Sequence, residues 1–304
     1  MSAVNIIEVA PRDGFQSVVP LIPVEAKLAM IDTLADSGLK SIEVGAFVHP
    51  KAIAQMADIE QVLTGIEHST TLKPEYERVV LVPNERGALN AAQAPCDRLN
   101  FVFSVSETHN LKNVRKTLEQ SLAELELVHK VVEANPQLSL RVSLATSFDC
   151  PFEGTVDEAL CLQILQLAIK RAPCAQIALC DTTGKAHPFA VERLFDKALS
   201  ITPSSTPIVF HCHDTYGLGI ANVAAAYRSG ARHFDSAVAG FGGCPFAPGA
   251  SGNVATEDVV YFFESAGIDT GVDVSKLNRA ICLAEQIEGA QLGGSIRQLN
   301  RHQL

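Results

Sequence analysis

Short runs rich in β-branched residues alternate along the chain with stretches of helical periodicity. Eight such runs occur, at residues 4–9, 41–44, 79–82, 99–104, 138–144, 176–180, 208–212 and 233–238. The stretches between them include residues 24–37, 113–135, 156–172 and 189–199. Eight strand-then-helix units predict a TIM (β/α)8 barrel, because a doubly wound open sheet has no natural place for eight strands and a closing helix.

The chain is predicted to form one domain over residues 1–304. Its length and its hydrophobic content of 47% suit either one large domain or two ordinary ones, but no linker, low-complexity tract or short-period repeat divides it. The segment from about residue 267 to residue 304 is predicted to form an additional C-terminal helix with a polar tail.

Charge and composition exclude several classes of function. The net charge is −10 and no long Lys/Arg block occurs, so nucleic acid and anionic membrane surfaces are not expected partners. No apolar stretch approaches the length of a membrane span, and the N-terminus lacks a basic leader, which predicts a cytoplasmic protein. The eight cysteines include no CxxC pair and are expected to be reduced thiols.

Strand parity predicts which side chains face the barrel interior. Alternate residues point to opposite faces, and the outward face must pack against helices, so Leu140, Val142 and Leu144 are assigned outward. The inward set is then Ser139, Arg141 and Ser143, with Glu43, Asn100, Val209, His211 and His213 on other strands. The barrel interior is therefore predicted to contain a polar layer.

The segment HCHD places two imidazoles on that interior face. His211 and His213 lie about 7 Å apart along the strand, at the carboxyl end where barrel enzymes build their sites. One histidine there is typical of a hydrogen-bonded core residue, whereas two on one face favour a shared metal ion. Cys212 points out into the helix layer and is excluded as a ligand.

Two turns bring further polar residues to the same end of the barrel. VAPRDGFQ after the first strand contains Arg12 and Asp13, which could also be a solvated rim residue and an ordinary turn residue. The long glycine-rich loop GFGGCPFAPGASGN after the eighth strand contains Cys244 and Asn253. Such a loop can be a spacer, but its composition is typical of a mobile lid.

The segments EVAPRDGFQ, IEVGAFVHPKAIAQMAD, CDTTG, HCHDTYG and SAVAGFGGCPFAPGASGNVATEDVVY resemble 3-hydroxy-3-methylglutaryl-CoA lyases over nearly the whole chain. GGCP followed by GASGN is the specific part, because the RDG turn and the HxHD strand are shared with metal-dependent lyases and Claisen synthases on TIM barrels. The resemblance implies a carbon–carbon lyase acting on an acyl-CoA, and a homodimer.

The resemblance also implies a role for individual residues. Asp13, His211, His213 and Asn253 are expected to bind a divalent ion, Mg²⁺ or Mn²⁺, although zinc or iron would also accept these donors. Catalytic roles are implied for Arg12 as the enolate-stabilising group, Cys244 as the loop acid/base, and Glu43 and Asp181 as supporting residues. Predicted substrate-binding residues are Gln16, Arg141, Thr182 and Lys112. Arg115, Lys116, Lys51 and Arg86 are additional cations for the CoA phosphates.

Departures from the lyase pattern concern the substrate pocket and spare the expected ligands. LQNE of the family is replaced by Phe15–Val18, Ala46 precedes Phe47, and ATSFDCPF places Ser147, Phe148 and Asp149 at the expected barrel mouth. The predicted reaction is therefore retro-Claisen cleavage of 3-hydroxy-3-methylglutaryl-CoA or of a related citramalyl or methylmalyl thioester.

Other classes of protein fit the sequence less well. A Claisen-type condensing synthase is the nearest alternative, although it usually has an additional regulatory domain. A metal-dependent barrel hydrolase places its HxH motif on the first strand, and this chain has it on the seventh. A non-catalytic barrel would be expected to lose Arg12, Cys244 or a ligand, and all are present.

Overall fold

Eight parallel strands form a closed barrel at the centre of the molecule. The computed structural model describes residues 4–69, 76–173, 175–244 and 247–299, and for residues 243–244 and 247–251 it describes the backbone alone. The barrel strands are β1 (Asn5–Glu8), β2 (Ser41–Ala46), β3 (Glu77–Val82), β4 (Arg98–Ser104), β5 (Ser139–Ala145), β6 (Gln176–Asp181), β7 (Ile208–Cys212) and β8 (His233–Ser236). Each pairs with the next in sequence order and β8 pairs with β1, which confirms the predicted TIM barrel.

Helices cover the outside of the barrel. They are α1 (Val24–Asp36), α2 (Ile59–His68), α3 (Glu85–Ala91), α4 (Glu107–Val114), α5 (Leu118–Glu133), α6 (Glu158–Arg171), α7 (Pro188–Ile201), α8 (Gly219–Arg228), α9 (Thr256–Ser265) and α10 (Val274–Gln286). Helix α10 is the predicted C-terminal helix, held against the end of α1 by ion pairs from Lys276 and Arg279 to Asp36. Residues 300–304 of the predicted tail lie outside the described residues. Within the described part of the chain, no helix is both long and apolar enough to cross a membrane.

The single helix predicted over residues 113–135 is wrong, because the structure has two helices there. Arg115 adopts a left-handed conformation with φ of 58° and ends α4. Thr117 then begins α5 with a capping box, in which its side chain accepts from Gln120 and the Gln120 side chain accepts from the Thr117 backbone. A cap of this kind satisfies N–H groups that a continuous helix would have bonded internally, so the chain can turn between two helical segments.

The barrel interior contains the polar layer that strand parity predicts. Asn100 Nδ2 donates to Glu43 Oε1 at 2.7 Å, and Ser143 Oγ donates to Asn100 Oδ1 at 2.8 Å. Arg141 Nε donates to Ser143 Oγ at 3.2 Å. Cys212 lies on the opposite face, where its thiol is 3.9 Å from the carbonyl oxygen of Gly219 at the start of α8. The parity assignments are therefore confirmed.

Three loop segments at the carboxyl end of the barrel have backbone structure of their own. A π-helical turn at Ala10–Gly14 follows β1. A small hairpin pairs Asp149–Cys150 with Gly154–Thr155 after β5, and a second hairpin pairs Gly243–Cys244 with Ala247–Ser251 after β8. These segments determine which side chains can reach the mouth of the barrel.

Candidate active site

Asp13, His211 and His213 come together at the carboxyl end of the barrel. Their potential ligand atoms all lie within 4.8 Å of one another, and the two imidazole ring centroids are 5.4 Å apart. His211 belongs to β7 and His213 follows its end, so both rings are held by the barrel wall, while Asp13 comes from the turn after β1. Two imidazoles and a carboxylate at this spacing can share one metal ion.

Asn253 completes this cluster from the far end of the loop after β8. Its backbone forms an isolated bridge with His213, and its Nδ2 donates to Asp13 Oδ2 at 2.7 Å and to the carbonyl oxygen of Phe241 at 3.2 Å. Gly242, with φ of 130°, passes so close that a Cβ there would lie 3.2 Å from Asn253 Nδ2.

Two buried polar atoms of the cluster have no hydrogen-bond partner among the described residues. They are Asn253 Oδ1 and His213 Nδ1. Burying such an acceptor without a partner is unfavourable, and an amide oxygen and an imidazole nitrogen are both metal ligands. The donor set of Asp13, His211, His213 and Asn253 therefore fits a divalent metal ion.

Arg12 lies beside the cluster and is held by two carboxylates. Its Nε and Nη2 are 2.7 and 2.6 Å from Glu43 Oε2, and its Nη1 is 2.6 Å from Asp13 Oδ1. Burial alone lowers the pKa of Arg12, but the carboxylates of Glu43 and Asp13 raise it above its ordinary value. The site therefore contains a fixed cation in a fixed orientation.

The charge of Asp13 is equally well determined. Burial alone raises the pKa of this carboxyl, but Arg12 and the two histidines hold the pKa well below its ordinary value. Gln16 Nε2 also donates to Asp13 Oδ1 at 2.6 Å. Asp13 is thus ionised and oriented, as a metal ligand must be.

Asp235 on β8 is a site residue that the sequence reasoning missed. Its Oδ2 is 3.0 Å from His211 Nδ1, and its two oxygens accept from the guanidinium of Arg141. Burial alone raises the pKa of Asp235, but Arg141 and His211 lower it to about 2. Alternation along β8 could have found it, because parity puts His233 and Asp235 inside and Phe234 and Ser236 outside.

A cavity of about 810 Å³ opens above this cluster. Among the predicted substrate-binding residues, Gln16, Arg141 and Thr182 line it. Lys112 is not among the described residues that line it, and its ammonium group lies 3.7 Å from the centre of the Phe152 ring. Further lining cations are Lys51, Arg115 and Lys116, with His49 and His109 beside them.

Asp181 and Cys244 are the two remaining catalytic predictions. Asp181, at the end of β6, is fully buried and accepts the backbone N–H of Ala186 at 3.1 Å, so it stabilises its own turn. Burial raises the pKa of Asp181 to about 7, in spite of the N–H groups of Ala186, Lys185 and Gly184. Cys244 lies in the hairpin after β8, and its side chain is outside the described part of the structure.

The expected contribution of Ser147 and Phe148 to the barrel mouth is wrong. Ser147 is buried and its hydroxyl donates to the carbonyl oxygen of Leu144 at 2.7 Å. Phe148 packs edge-on against Phe210, with 6.1 Å between ring centroids. Thr146 turns the chain with φ of 55°, which directs the next residues into the layer between strands and helices.

The fold and this cluster define a TIM-barrel enzyme with a candidate site for a divalent metal. A family model described as HMGL-like matches residues 3–283. A cytoplasmic 3-hydroxy-3-methylglutaryl-CoA lyase of Danio rerio is 38% identical over 286 residues, which are 92% of this chain and 83% of that protein. This chain belongs to the HMGL-like family.

Solved structures agree with this membership. An HMG-CoA lyase of Bacillus subtilis superposes with a TM-score of 0.92 at 36% identity, covering 98% of both chains. An HMG-CoA lyase of Acinetobacter baumannii, solved in complex with coenzyme A and 3-methylmalate, has a TM-score of 0.90 at 39% identity and covers 98% of this chain and 95% of that one. The comparisons confirm the predicted family and, with it, the predicted class of enzyme, a carbon–carbon lyase.

Proposed function

We propose that this chain cleaves 3-hydroxy-3-methylglutaryl-CoA, or a closely related branched 3-hydroxyacyl-CoA, to acetyl-CoA or a similar acyl-CoA and an oxo acid. The observation that carries the proposal is the position of Arg12. The buried carboxylate of Glu43 and the carboxylate of Asp13 hold it beside His211 and His213, at the wall of a cavity of about 810 Å³. A fixed cation and a set of metal ligands are thereby directed at one substrate.

The four residues Asp13, His211, His213 and Asn253 would hold the metal, for which we propose Mg²⁺ or Mn²⁺. When bound, such an ion supplies a positive centre that lowers the pKa of a neighbouring substrate hydroxyl. Arg12, Gln16 and Asn253 all bond to Asp13, so the chain itself fixes the carboxylate in place before any ligand arrives.

Arg12 acts when the carbon–carbon bond breaks. The substrate hydroxyl releases its proton to water and becomes the carbonyl of the oxo acid, while the electron pair of the broken bond moves into the thioester and forms an enolate. Over one turnover this released proton balances the one that the enolate carbon takes up. The guanidinium of Arg12, held by Glu43, stabilises the negative charge on the enolate oxygen without losing its own proton. Protonation of the enolate carbon then gives the methyl group of acetyl-CoA, and we assign that proton to Cys244.

The nucleotide end of the substrate requires positive charge. Lys51, Arg115 and Lys116 line the cavity and are the best-placed cations for the CoA phosphates. Lys116 also forms an ion pair with Glu124, which orients it. Binding by Lys112 stays a prediction, as do a homodimer, a cytoplasmic location and a single catalytic domain over residues 1–304.

A methylmalyl or citramalyl thioester is the second candidate substrate. The observation in its favour is the 3-methylmalate in the Acinetobacter baumannii structure, since it is a hydroxy dicarboxylic acid of the kind such a thioester contains. The same residues would perform the same bond cleavage on it. Condensation in the reverse direction uses the same groups and is the alternative activity.

A panel of 3-hydroxyacyl-CoA thioesters, followed by mass spectrometry, tests the proposal. With Mg²⁺ or Mn²⁺ present, we expect an acyl-CoA and an oxo acid from at least one thioester. Free CoA and an intact hydroxy diacid as the only products would mean thioester hydrolysis and would exclude the lyase reaction.

The role of Cys244 is tested with a matched cysteine variant. Cys244→Ser should fold and bind Mn²⁺ normally but lose about 10²–10⁴-fold in turnover, the usual range for an acid/base group. Cys282→Ser is the control and should keep full activity. Cys282 is a half-buried free cysteine in α10, one of the helices outside the barrel. Full activity of Cys244→Ser would remove Cys244 from the proton transfer.

A further inference from the structure

One continuous chain of buried hydrogen bonds crosses the barrel interior from Arg12 to His211. Arg12 donates to Glu43, which accepts from Asn100, and Asn100 accepts from Ser143. Ser143 in turn accepts from Arg141, whose guanidinium donates to Asp235, and Asp235 lies against His211. The members on β2, β4, β5, β7 and β8 are Glu43, Asn100, Ser143, Arg141, His211 and Asp235.

At the His211 end of this hydrogen-bond chain, the contacts determine which group donates and which accepts. Both oxygens of Asp235 pair with the guanidinium of Arg141, which has only donors, so these oxygens act as acceptors. Asp235 Oδ1 accepts from Arg141 Nη1 at 2.8 Å, and Oδ2 is shared between Arg141 Nη2 and His211 Nδ1. The proton of a neutral His211 therefore sits on Nδ1, which leaves Nε2 without a proton and free to act as a ligand.

We propose that Arg141 and Asp235 are positioning residues that fix the tautomer and orientation of His211 for metal binding. This gives Arg141 a role other than the substrate binding predicted from the sequence. Its forked edge is engaged by Asp235 and its Nε by Ser143, so the groups that could grip a ligand carboxylate are directed into the protein. The inference rests on the proposed function, because it requires a metal at His211.

Asp235→Asn is the informative substitution, because it keeps the volume and changes the acceptors. The two parallel N–H groups of Arg141 require an oxygen acceptor. The single oxygen of the new amide should therefore turn to Arg141, and its NH₂ group should turn to His211 Nδ1. The ring must then accept at Nδ1 and carry its proton on Nε2, which blocks coordination. Replacing Arg141 as well removes this demand and lets the amide oxygen accept from Nδ1–H again.

The experiment is a titration of metal-free protein with Mn²⁺, with free Mn²⁺ measured by electron paramagnetic resonance. Asp235→Asn should bind Mn²⁺ about 10–100-fold more weakly, as expected for an outer partner of a ligating histidine. The Arg141→Met/Asp235→Asn double variant should recover part of that loss. Asp97→Asn, which breaks another paired carboxylate, the partner of Arg78 at the opposite end of the barrel, should leave Mn²⁺ affinity unchanged.

Three results separate the possible failures. Wild-type protein that binds no Mn²⁺ at this site overturns the proposed function itself. A folded Asp235→Asn with wild-type Mn²⁺ affinity overturns only the positioning role. Loss of the fold in both the single and the double variant, seen by thermal unfolding in a chelator, also overturns it, because the pair would then be structural.

Nitrogen-15 chemical shifts of the histidine rings give a readout that a purely structural pair would not move. We expect the Nδ1–H tautomer for His211 in metal-free wild type and the Nε2–H tautomer in Asp235→Asn. If Arg141 instead grips substrate, Arg141→Lys should raise KM for the thioester and leave both Mn²⁺ affinity and the His211 tautomer unchanged.

Discussion

Two groups of acids in this barrel have pKa values that are shifted in opposite directions. Asp13 lines the cavity and Asp235 lies against Arg141 and His211, and guanidinium groups hold the pKa of each below its ordinary value. Glu8 and Glu257 lie behind the barrel wall, where burial raises the pKa of Glu8 to about 7 and that of Glu257 to about 8. Glu8, Asp235 and Glu257 are at most 3% exposed, and the Asp13 side chain is 13% exposed. Burial alone therefore does not decide which of these acids is ionised.

The difference lies in the neighbours. Glu8 accepts from the backbone N–H groups of Ala10 and Val238 and bonds to the hydroxyl of Thr256, and Glu257 accepts from the backbone N–H of Ala239. Dipoles of this kind offset only part of the desolvation of a carboxylate, whereas at Asp13 and Asp235 a guanidinium together with neighbouring histidine groups more than offsets it. Acids meant to stay charged at this site are paired with arginine, and the acids that brace the loops are not.

The strongest test of this contrast is the removal of the cation. Arg12→Gln should lower kcat by at least about 10³-fold, because the enolate loses its fixed positive charge, as with an oxyanion-hole donor that is also charged. Steady-state kinetics at saturating Mn²⁺ measure the effect, with thermal unfolding as the check on folding. Turnover within a few-fold of wild type would mean that another cation neutralises the enolate.

Neutralising an acid of the charged group should have the next largest effect. Asp13→Asn keeps shape and hydrogen-bonding size but removes the anionic ligand, so Mn²⁺ affinity should fall by about 100-fold or more. Titration of the metal-free variant followed by electron paramagnetic resonance measures this. Unchanged affinity would show that the charge of Asp13 does not contribute to metal binding.

The same amide substitution should be mild in the second group. Glu8→Gln and Glu257→Gln imitate the protonated acid, so we expect turnover within about threefold of wild type. Near pH 4.5, where much of the unfolded chain's glutamate is protonated as well, the change in unfolding free energy should be about 1 kcal/mol or less. Chemical denaturation near pH 4.5 provides the comparison with Asp13→Asn. A large loss of stability in Glu257→Gln would show that this carboxyl is ionised in the folded protein.

The last comparison is the slope of stability against pH. Folded Glu8 and Glu257 keep protons that the unfolded chain releases near its ordinary pKa of 4.5, so stability falls as pH rises from about 5 until pH passes the folded values of about 7 and about 8. Asp13 and Asp235 are ionised in both states over that interval and add no slope. The Glu8→Gln/Glu257→Gln double variant should therefore show a flatter profile than wild type, and an identical profile would contradict the raised pKa values.

The barrel and most of the candidate metal-binding cluster could be predicted from the sequence. Strand periodicity and parity placed Glu43, Asn100 and His211 on one interior face, because alternation is a local property of a strand. Asp235 was not predicted as a site residue because its role depends on Arg141, which lies 94 residues away in the sequence. Only the closed barrel brings these two side chains into contact.

The errors have the same origin. The break at Arg115 depends on one left-handed residue and a capping box, neither of which disturbs the hydrophobic periodicity of residues 113–135. Ser147 and Phe148 follow Thr146, whose positive φ reverses the direction in which they point. Local backbone conformation and long-range pairing are the two kinds of information that a pattern of residue types does not contain.

The left-handed Arg115 implies a trade-off between folding and ligand retention. A side chain at φ of 58° costs about 1–2 kcal/mol relative to a right-handed position, and glycine would relieve most of it. The chain instead keeps a guanidinium there, at the edge of the cavity proposed to bind the CoA thioester. Arg115→Gly should thus give a protein that melts at a higher temperature and, if Arg115 binds the CoA phosphates as proposed, releases coenzyme A more readily, so that this position would exchange stability for binding.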